Sequence, residues 1–331
     1  MLLKELGEFG LIERIRQATP KGRGVRIGIG DDAAWLDCRN HSLLVTSDLL
    51  IEGIHFNLKW TSFYALGYKS LAVNLSDIAA MGGRPDYLIL SLGIPVDFKA
   101  ENVEEFYCGI RALASQSGVA LVGGDTSASS RLFVNGCLLG HAPRRPVTRS
   151  GGRAGDDLCV TGTLGDSALG LKLLKQKSVR GNNKEHTYLI SRHRFPTARL
   201  KAGIMLARER LAKAMIDVSD GLLQDLTHLC KASGMGAVIW EDALPLSRAY
   251  RTLAGKKGPL YALTGGEDYE LLFCLRRRDR GRLEKIKKHL GVPIARIGTC
   301  VAAREGIKII NRQGSPLSIS ITGYDHFRNR H

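Results

Sequence analysis

At 331 residues the chain exceeds one ordinary hydrophobic core and is most simply read as two domains. Hydrophobic residues make up 44% and charged residues 24%, the balance of a soluble globular protein; no apolar run nears the length of a membrane span. The net charge of +16 is confined to the part after Gly140, where 35 Lys and Arg stand against 17 Asp and Glu; before it the counts are 13 and 15.

The N-terminus, MLLKELGEFG, lacks a signal peptide's basic start and apolar centre, so a cytoplasmic address is expected. A helix is predicted from Glu8 to Gln17, then a loop, then a strand from Val25 to Ile29 running into Gly30-Asp31-Asp32. Leu43 to Val45 reads as a short strand opening onto Thr46-Ser47-Asp48. The next helix, within Lys69 to Pro85, carries Leu71, Leu75, Ile78 and Ala79 at the spacing of an apolar stripe. Ser70, Asn74 and Asp77 form a second, polar stripe that is short and almost without cations, which marks Asp77 as a ligand for something positive. Gly82-Gly83 and Pro85 stop that helix.

A strand follows from Tyr87 to Ile94, and an amphipathic helix from Glu101 to Ser117 is capped by Gly118. Val119 to Val122 reads as a strand ending at Gly123-Gly124-Asp125, and Leu132 to Gly140 as another. The segment from His141 to Asp157, rich in Pro, Gly and Arg, is the natural boundary and divides the chain into domains 1–141 and 150–331. Beyond it, Leu158 to Gly162 is a strand and SALGLKLLK a helix; Lys175 to Arg194 reads as an exposed loop. A helix is predicted from Ala198 to Ala214, then Ile216-Asp217-Val218-Ser219-Asp220-Gly221 and a helix ending at Gly234. Gly265 to Glu270 precede the strand LLFCL, a basic helix and two short strand-like stretches. The alternation of strands and helices gives an α/β or α+β class.

Acids recur at strand ends and helix entrances, often beside glycine: Asp31, Asp32, Asp48, Asp77, Asp125, Asp217, Asp220, Glu267 and Asp268. Each alone is an ordinary cap or turn residue. As a set of oxygen ligands without clustered His or Cys they suit a hard cation, and Mg²⁺ is held by a few carboxylates together with substrate phosphates. The seven cysteines lie singly, without a metal or disulfide pattern, and read as reduced and mostly buried. A P-loop is absent. Gly28 to Ala33 fits a loose dinucleotide turn, but two adjacent carboxylates there repel a pyrophosphate unless a metal intervenes. A basic C-terminal half admits nucleic acid, yet its densest run, Arg276 to Lys288, holds no aromatic for base stacking, and attraction of an anionic small substrate is the better use.

Taken in order, GEFGLI, GIGDDAA, TSD, EGIHF, KSLAVNLSDIAAMGG, VGGDT, TRSG, TGTLGDSALGL, IDVSDGLLQDL, GGEDYEL and GYDHF resemble the thiamine-monophosphate kinase family. That family belongs to the ATP-dependent superfamily that includes aminoimidazole ribonucleotide synthetase and selenophosphate synthetase. The resemblance implies a two-domain fold whose N-terminal mixed sheet joins that of a second subunit in a homodimer barrel. It also implies ATP and Mg²⁺ as co-substrate and cofactor, thiamine monophosphate as acceptor, and no nucleic-acid or membrane partner. Asp32, Thr46, Ser47, Asp48, Asp77, Asp125, Asp217 and Asp220 correspond to the family's magnesium ligands, some through backbone oxygen or water. Gly124, Asp125, Arg149 and Ser219 correspond to ATP contacts, and His55 and Glu267 to substrate contacts. Asp48, Asp77, Asp125, Arg149 and Asp220 are the residues implied to carry the transfer. Ile321 stands where the family often has an aromatic. Other reactions of the superfamily, amide-oxygen activation or selenophosphate formation, share much of this acid-glycine pattern.

Overall fold

The computed structural model describes residues 5, 7–20, 22, 24–38, 41–142, 145–176, 183–255 and 258–317. Ile321 and the GYDHF string lie outside the described residues.

The chain runs α1 (Glu8–Ala18), β1 (Val25–Ile27), β2 (Ala34–Cys38), β3 (His41–Ile51), α2 (Phe63–Ala80), β4 (Arg84–Ile94), α3 (Ala100–Ser117), β5 (Ala120–Ala128) and β6 (Phe133–Ala142). These strands form one mixed six-stranded sheet in the order β1-β2-β3-β6-β4-β5, with β4 and β5 parallel. Ser62 caps α2 by accepting from the Ala65 N–H at 3.2 Å. Against one face of the sheet, α2 and α3 bury Leu66, Leu71, Leu75, Ile78, Phe106 and Ile110 with Leu88, Leu90 and Leu138. The other face carries no helix among the described residues, and edge strand β5 is exposed along its whole length.

The second half runs β7 (Asp157–Thr161), α4 (Asp166–Lys175), α5 (Lys184–Arg194), α6 (Leu200–Arg208), β8 (Ala212–Asp217), α7 (Leu222–Ser233), β9 (Met235–Trp240), α8 (Arg248–Leu253), α9 (Leu260–Thr264), β10 (Leu271–Leu275), α10 (Arg280–Ile286), β11 (Ile294–Ala302) and β12 (Ile307–Ile310). Its sheet, in the order β12-β9-β11-β7-β10-β8, is covered on both faces. Alternation decides which residue goes where. Leu272 and Cys274 face the core under α4 and α7, while Leu271, Phe273 and Leu275 face a second core that takes in Ala79 and Ala80 of α2 and Leu206 of α6. That second core joins the two halves. It is tight because a Cβ on Gly203 would lie 2.1 Å from the Ala79 carbonyl oxygen.

Several elements depart from the sequence reading. Thr46-Ser47-Asp48 and Gly123-Gly124-Asp125 lie inside long strands, because pairing with β6 and β4 continues through them. The expected loop between Lys175 and Arg194 contains α5, which Asn183 caps by accepting from the Glu185 N–H at 2.8 Å and which buries Leu189 and His193. The expected helix from Ala198 to Ala214 stops at Arg208. Arg210 takes a positive φ of 54°, and the chain then enters β8. Of the polar stripe of α2, Ser70 and Asn74 are at most 2% exposed and Asp77 is half-buried, and Lys69 and Ser76 are buried beside them. Of the cysteines, Cys38 and Cys108 are exposed and four are buried, all as free thiols.

Candidate active site

The site lies where the end of β8 meets α2. Ser76 and Asp77 leave α2 toward the second sheet, and β8 ends on Asp217. One carboxylate oxygen from each of Asp32, Asp77 and Asp217 lies within 4.8 Å of the other two, the one such group of three among the described residues. Hydroxyl donors hold two of these acids. Thr46 Oγ1 donates to Asp77, and Ser76 Oγ donates to Asp217 Oδ2 at 2.6 Å. From the linker, Arg149 Nη2 donates to Asp32 Oδ1 at 2.9 Å, and its backbone N–H reaches the Asp31 carboxylate at 3.1 Å.

This is a costly arrangement for carboxylates alone. Burial pushes Asp77 well above the usual carboxylate range, with Asp48, Asp217 and Asp32 adding to it. Asp217 is raised likewise, by burial and then by Asp32. Burial pushes Asp48 up to about 6, and burial with the Asp32 charge pushes Asp31 up to about 7. Burial works against the Arg149 guanidinium, but Asp32, Asp31 and Asp217 outweigh it and keep it charged. One cation against this many acids leaves an excess of negative charge, and Asp32 Oδ2, buried, has no hydrogen-bond partner. An oxygen-only donor set with an open buried lone pair fits a hard divalent cation such as Mg²⁺.

The other residues implied by the resemblance fall into three groups. Strand register puts Asp48, Gly136, Leu90 and Gly124 in one row, and Leu49, Asn135, Ser91 and Asp125 in the next. Thr46 and Asp48 therefore face α2, while Ser47 and Asp125 face the opposite, open side of the sheet. There Ser47 Oγ donates to Asn135 Oδ1 at 2.9 Å, and Asp125 Oδ1 accepts from the Thr126 N–H at 2.9 Å. Asp125 lies outside the convergent trio. Gly124 is required by the strand pairing itself, since a Cβ would sit 1.8 Å from the Leu90 carbonyl oxygen.

Ser219 and Asp220 form the second group, on the turn after Asp217. The Asp220 and Gly221 N–H groups donate to Asp225 Oδ2 at 3.1 and 3.0 Å. The third group is His55 and Glu267, the two residues expected to contact the substrate. His55, in the turn after β3, accepts the Ile51 N–H on Nδ1 at 2.9 Å, which places its proton on Nε2. Glu267 accepts from Lys69 Nζ at 2.6 Å and lies 3.1 Å from His193 Nδ1. Ser76, Asp225, Lys69 and His193 were not singled out by the sequence reading. Lys69 and Ser76 were open to it, as polar residues seven apart on a helix otherwise built for burial.

Residues 30–142 match the family of AIR synthase related proteins, N-terminal domain, and residues 153–310 match its C-terminal domain, which sets the class of the fold. Thiamine-monophosphate kinase of Escherichia coli strain K12 is 42% identical over 325 residues, 97% of this chain and 98% of that protein. The Bacillus subtilis enzyme of the same name is 34% identical over 328 residues, 98% and 100% of the two chains. A solved complex described as AaThiL with AMPPCP and TMP superposes with a TM-score of 0.87 at 35% identity, covering 98% of this chain and 99% of that one. The chain belongs to the thiamine-monophosphate kinase family, a family of phosphotransferases.

Proposed function

We propose that the protein transfers the γ-phosphoryl group of ATP to thiamine monophosphate, giving ADP and thiamine diphosphate. The observation that carries this reading is the convergence of Asp32, Asp77 and Asp217 beside Arg149 in a chain of this family. Asp32, Asp77 and Asp217 would hold Mg²⁺, with Thr46, Asp48 and Asp220 as further direct or indirect ligands; Ser47 and Asp125, whose side chains face the other side of the sheet, would take part through backbone oxygen or water. Mg²⁺ supplies charge neutralisation between two anionic substrates and polarises the transferred phosphoryl group. A phosphate monoester has a second pKa of about 6, so the acceptor is an ionised nucleophile at neutral pH and no general base is needed.

Arg149, held charged and aimed by Asp31 and Asp32, offsets phosphate charge as the transfer proceeds. Gly124, Asp125 and Ser219 contact ATP, and His55 and Glu267 contact thiamine monophosphate. Thr46 and Ser76 keep the Asp77 and Asp217 carboxylates in place by donating to them. The domains divide at 1–141 and 150–331, with transfer between them. A second copy covers the open side of the first sheet, where Tyr87, Ile89 and Val122 are 53%, 39% and 57% exposed, and forms a cytoplasmic homodimer. The transfer is direct and in line. ATP made chiral at the γ-phosphorus is expected to give thiamine diphosphate with inverted configuration; retention would indicate a phosphoenzyme and overturn this account of the step.

A further inference from the structure

Lys69 precedes Ser76 on α2 by seven residues, or about two turns, so both side chains leave the helix on one face. Ser76 reaches Asp217 in the acid cluster, while Lys69 reaches Glu267 farther along. Glu267 is held through both carboxylate oxygens and its backbone N–H. Oε1 accepts from Lys69 Nζ at 2.6 Å, and Oε2 lies 3.1 Å from His193 Nδ1, which is itself 3.1 Å from Ser167 Oγ. The Glu267 backbone N–H donates to the Ser219 carbonyl at 2.7 Å, and its φ of 66° is one that a residue with a side chain rarely adopts.

Lys69, His193 and Ser167 are at most 4% exposed, whereas the Glu267 side chain is 25% exposed. A backbone held in the left-handed region by surrounding contacts is typical of a position that faces a ligand. Although burial opposes its charge, Lys69 and His193 hold the Glu267 carboxyl well below the usual range.

We infer that Lys69 and His193 are positioning residues that turn Glu267 into a charge-compensated hydrogen-bond acceptor for the aminopyrimidine N–H of the acceptor substrate. This rests on the reading of Glu267 as a substrate contact. An ionised carboxylate has no proton to donate, so the group opposite it must donate or be cationic. Lys69 cancels the net charge of the pair, which removes most of its pull on the cationic thiazolium ring. What remains is one outward lone pair on each oxygen, directed by the two buried donors. Lys69 and Ser76 lie about two helical turns apart on α2, a separation of the order of that between the phosphate and the amino-bearing ring of the acceptor.

The test compares thiamine monophosphate with its 4-oxo pyrimidine analogue, which lacks the amino group, in wild type, Lys69→Met, Lys69→Arg, Glu267→Gln and the Lys69→Met/Glu267→Gln double variant. Wild type is expected to prefer the amino substrate by about 10²-fold or more in kcat/KM. Lys69→Met shrinks that preference at least about tenfold through the acceptor KM, leaving kcat and the ATP KM within about threefold, and Lys69→Arg retains most of it. The double variant is no worse than Glu267→Gln. If Lys69→Met does not fold, His193→Ala reads the same preference.

An intact preference in Lys69→Met with a lowered kcat and a raised ATP KM would make Lys69 an interdomain brace and overturn the inference. So would additive defects in the double variant. Glu267→Gln with an unchanged acceptor KM would overturn it by removing the substrate contact it rests on. Wild type that forms no thiamine diphosphate would instead remove the proposed reaction.

Discussion

Ser76 Oγ donates to Asp217 Oδ2 across 141 residues of chain, with both side chains buried. Ser76 belongs to a helix of the first sheet's half and Asp217 ends a strand of the second. The bond therefore sets the register of the two halves at the acid cluster. Ser76→Ala removes a buried hydrogen bond to the Asp217 carboxyl and leaves that oxygen without its donor, a loss of about 1–3 kcal/mol. It also frees Asp217 to turn. The expected result is a lower Tm together with a raised Mg²⁺ concentration for half-maximal activity; a lower Tm with an unchanged Mg²⁺ requirement would make the bond purely structural.

Asp77→Asn separates stability from activity. Asp77 is repelled by Asp48, Asp217 and Asp32. In metal chelator the variant is expected to melt higher than wild type, because folding no longer has to bury a carboxyl that must either take up a proton or carry a repelled charge. With saturating Mg²⁺ its kcat is expected to fall by about 10²-fold or more, since a ligand of the central cation is lost. A wild-type kcat would remove Asp77 from the site.

The raised carboxyls and the buried histidines act with opposite sign on the pH dependence of stability: His228, lowered to about 4 by burial, favours the fold as pH rises toward about 6.5, and the two carboxyls outweigh it. Asp48 at about 6 and Asp31 at about 7 both sit above the ordinary carboxylate value in the fold. Their contribution to stability is complete below the unfolded-chain value of about 4 and is lost as pH rises through about 6 to 7. Metal-free protein is expected to melt lower at pH about 8 than at about 5, by on the order of several degrees. Added Mg²⁺ stabilises more at the higher pH. A melting curve that rises with pH in chelator would contradict this electrostatic account.

Arg149→Met strands Asp32 and removes the positive charge near Asp31, which keeps its hydrogen bond from the backbone N–H of residue 149. Removing one partner of a buried ion pair costs about 3–5 kcal/mol. Denaturant unfolding is expected to show that loss, and kinetics a raised ATP KM. Arg149→Lys restores charge but not the planar guanidinium whose Nη2 donates to Asp32 Oδ1, so it is expected to recover stability more than activity. Equal recovery of both would show that charge alone is what Arg149 supplies.

Much of this site was legible one element at a time. An uncharged polar stripe ending in Asp77 marked α2, and acids beside glycines marked the turns around Asp32, Asp217 and Glu267. The partners were not legible, because periodicity reports the face of an element and not what meets that face. That Asp32 pairs with Arg149, among several arginines of the linker, depends on how residues 117 apart in sequence are brought together. The placement of Ser47 and Asp48 on opposite faces follows from period-two alternation, but only once the strand is known to run through them. Ser47-Asp48 and Gly-Gly-Asp read as strand ends because Asp and Gly are poor strand residues, and pairing with β6 and β4 overrides those preferences. The polar sequence of α5 hid a helix whose stability comes from burying Leu189 and His193.

The central claim is that the acid cluster serves transfer of a phosphoryl group from ATP to thiamine monophosphate. The most direct measurement follows ADP and thiamine diphosphate together, with purified protein, ATP, Mg²⁺ and thiamine monophosphate. The account predicts equimolar formation of the two products, abolished by chelator. ADP formed with free phosphate and no thiamine diphosphate, or no ATP turnover across a range of Mg²⁺ concentrations, would contradict it.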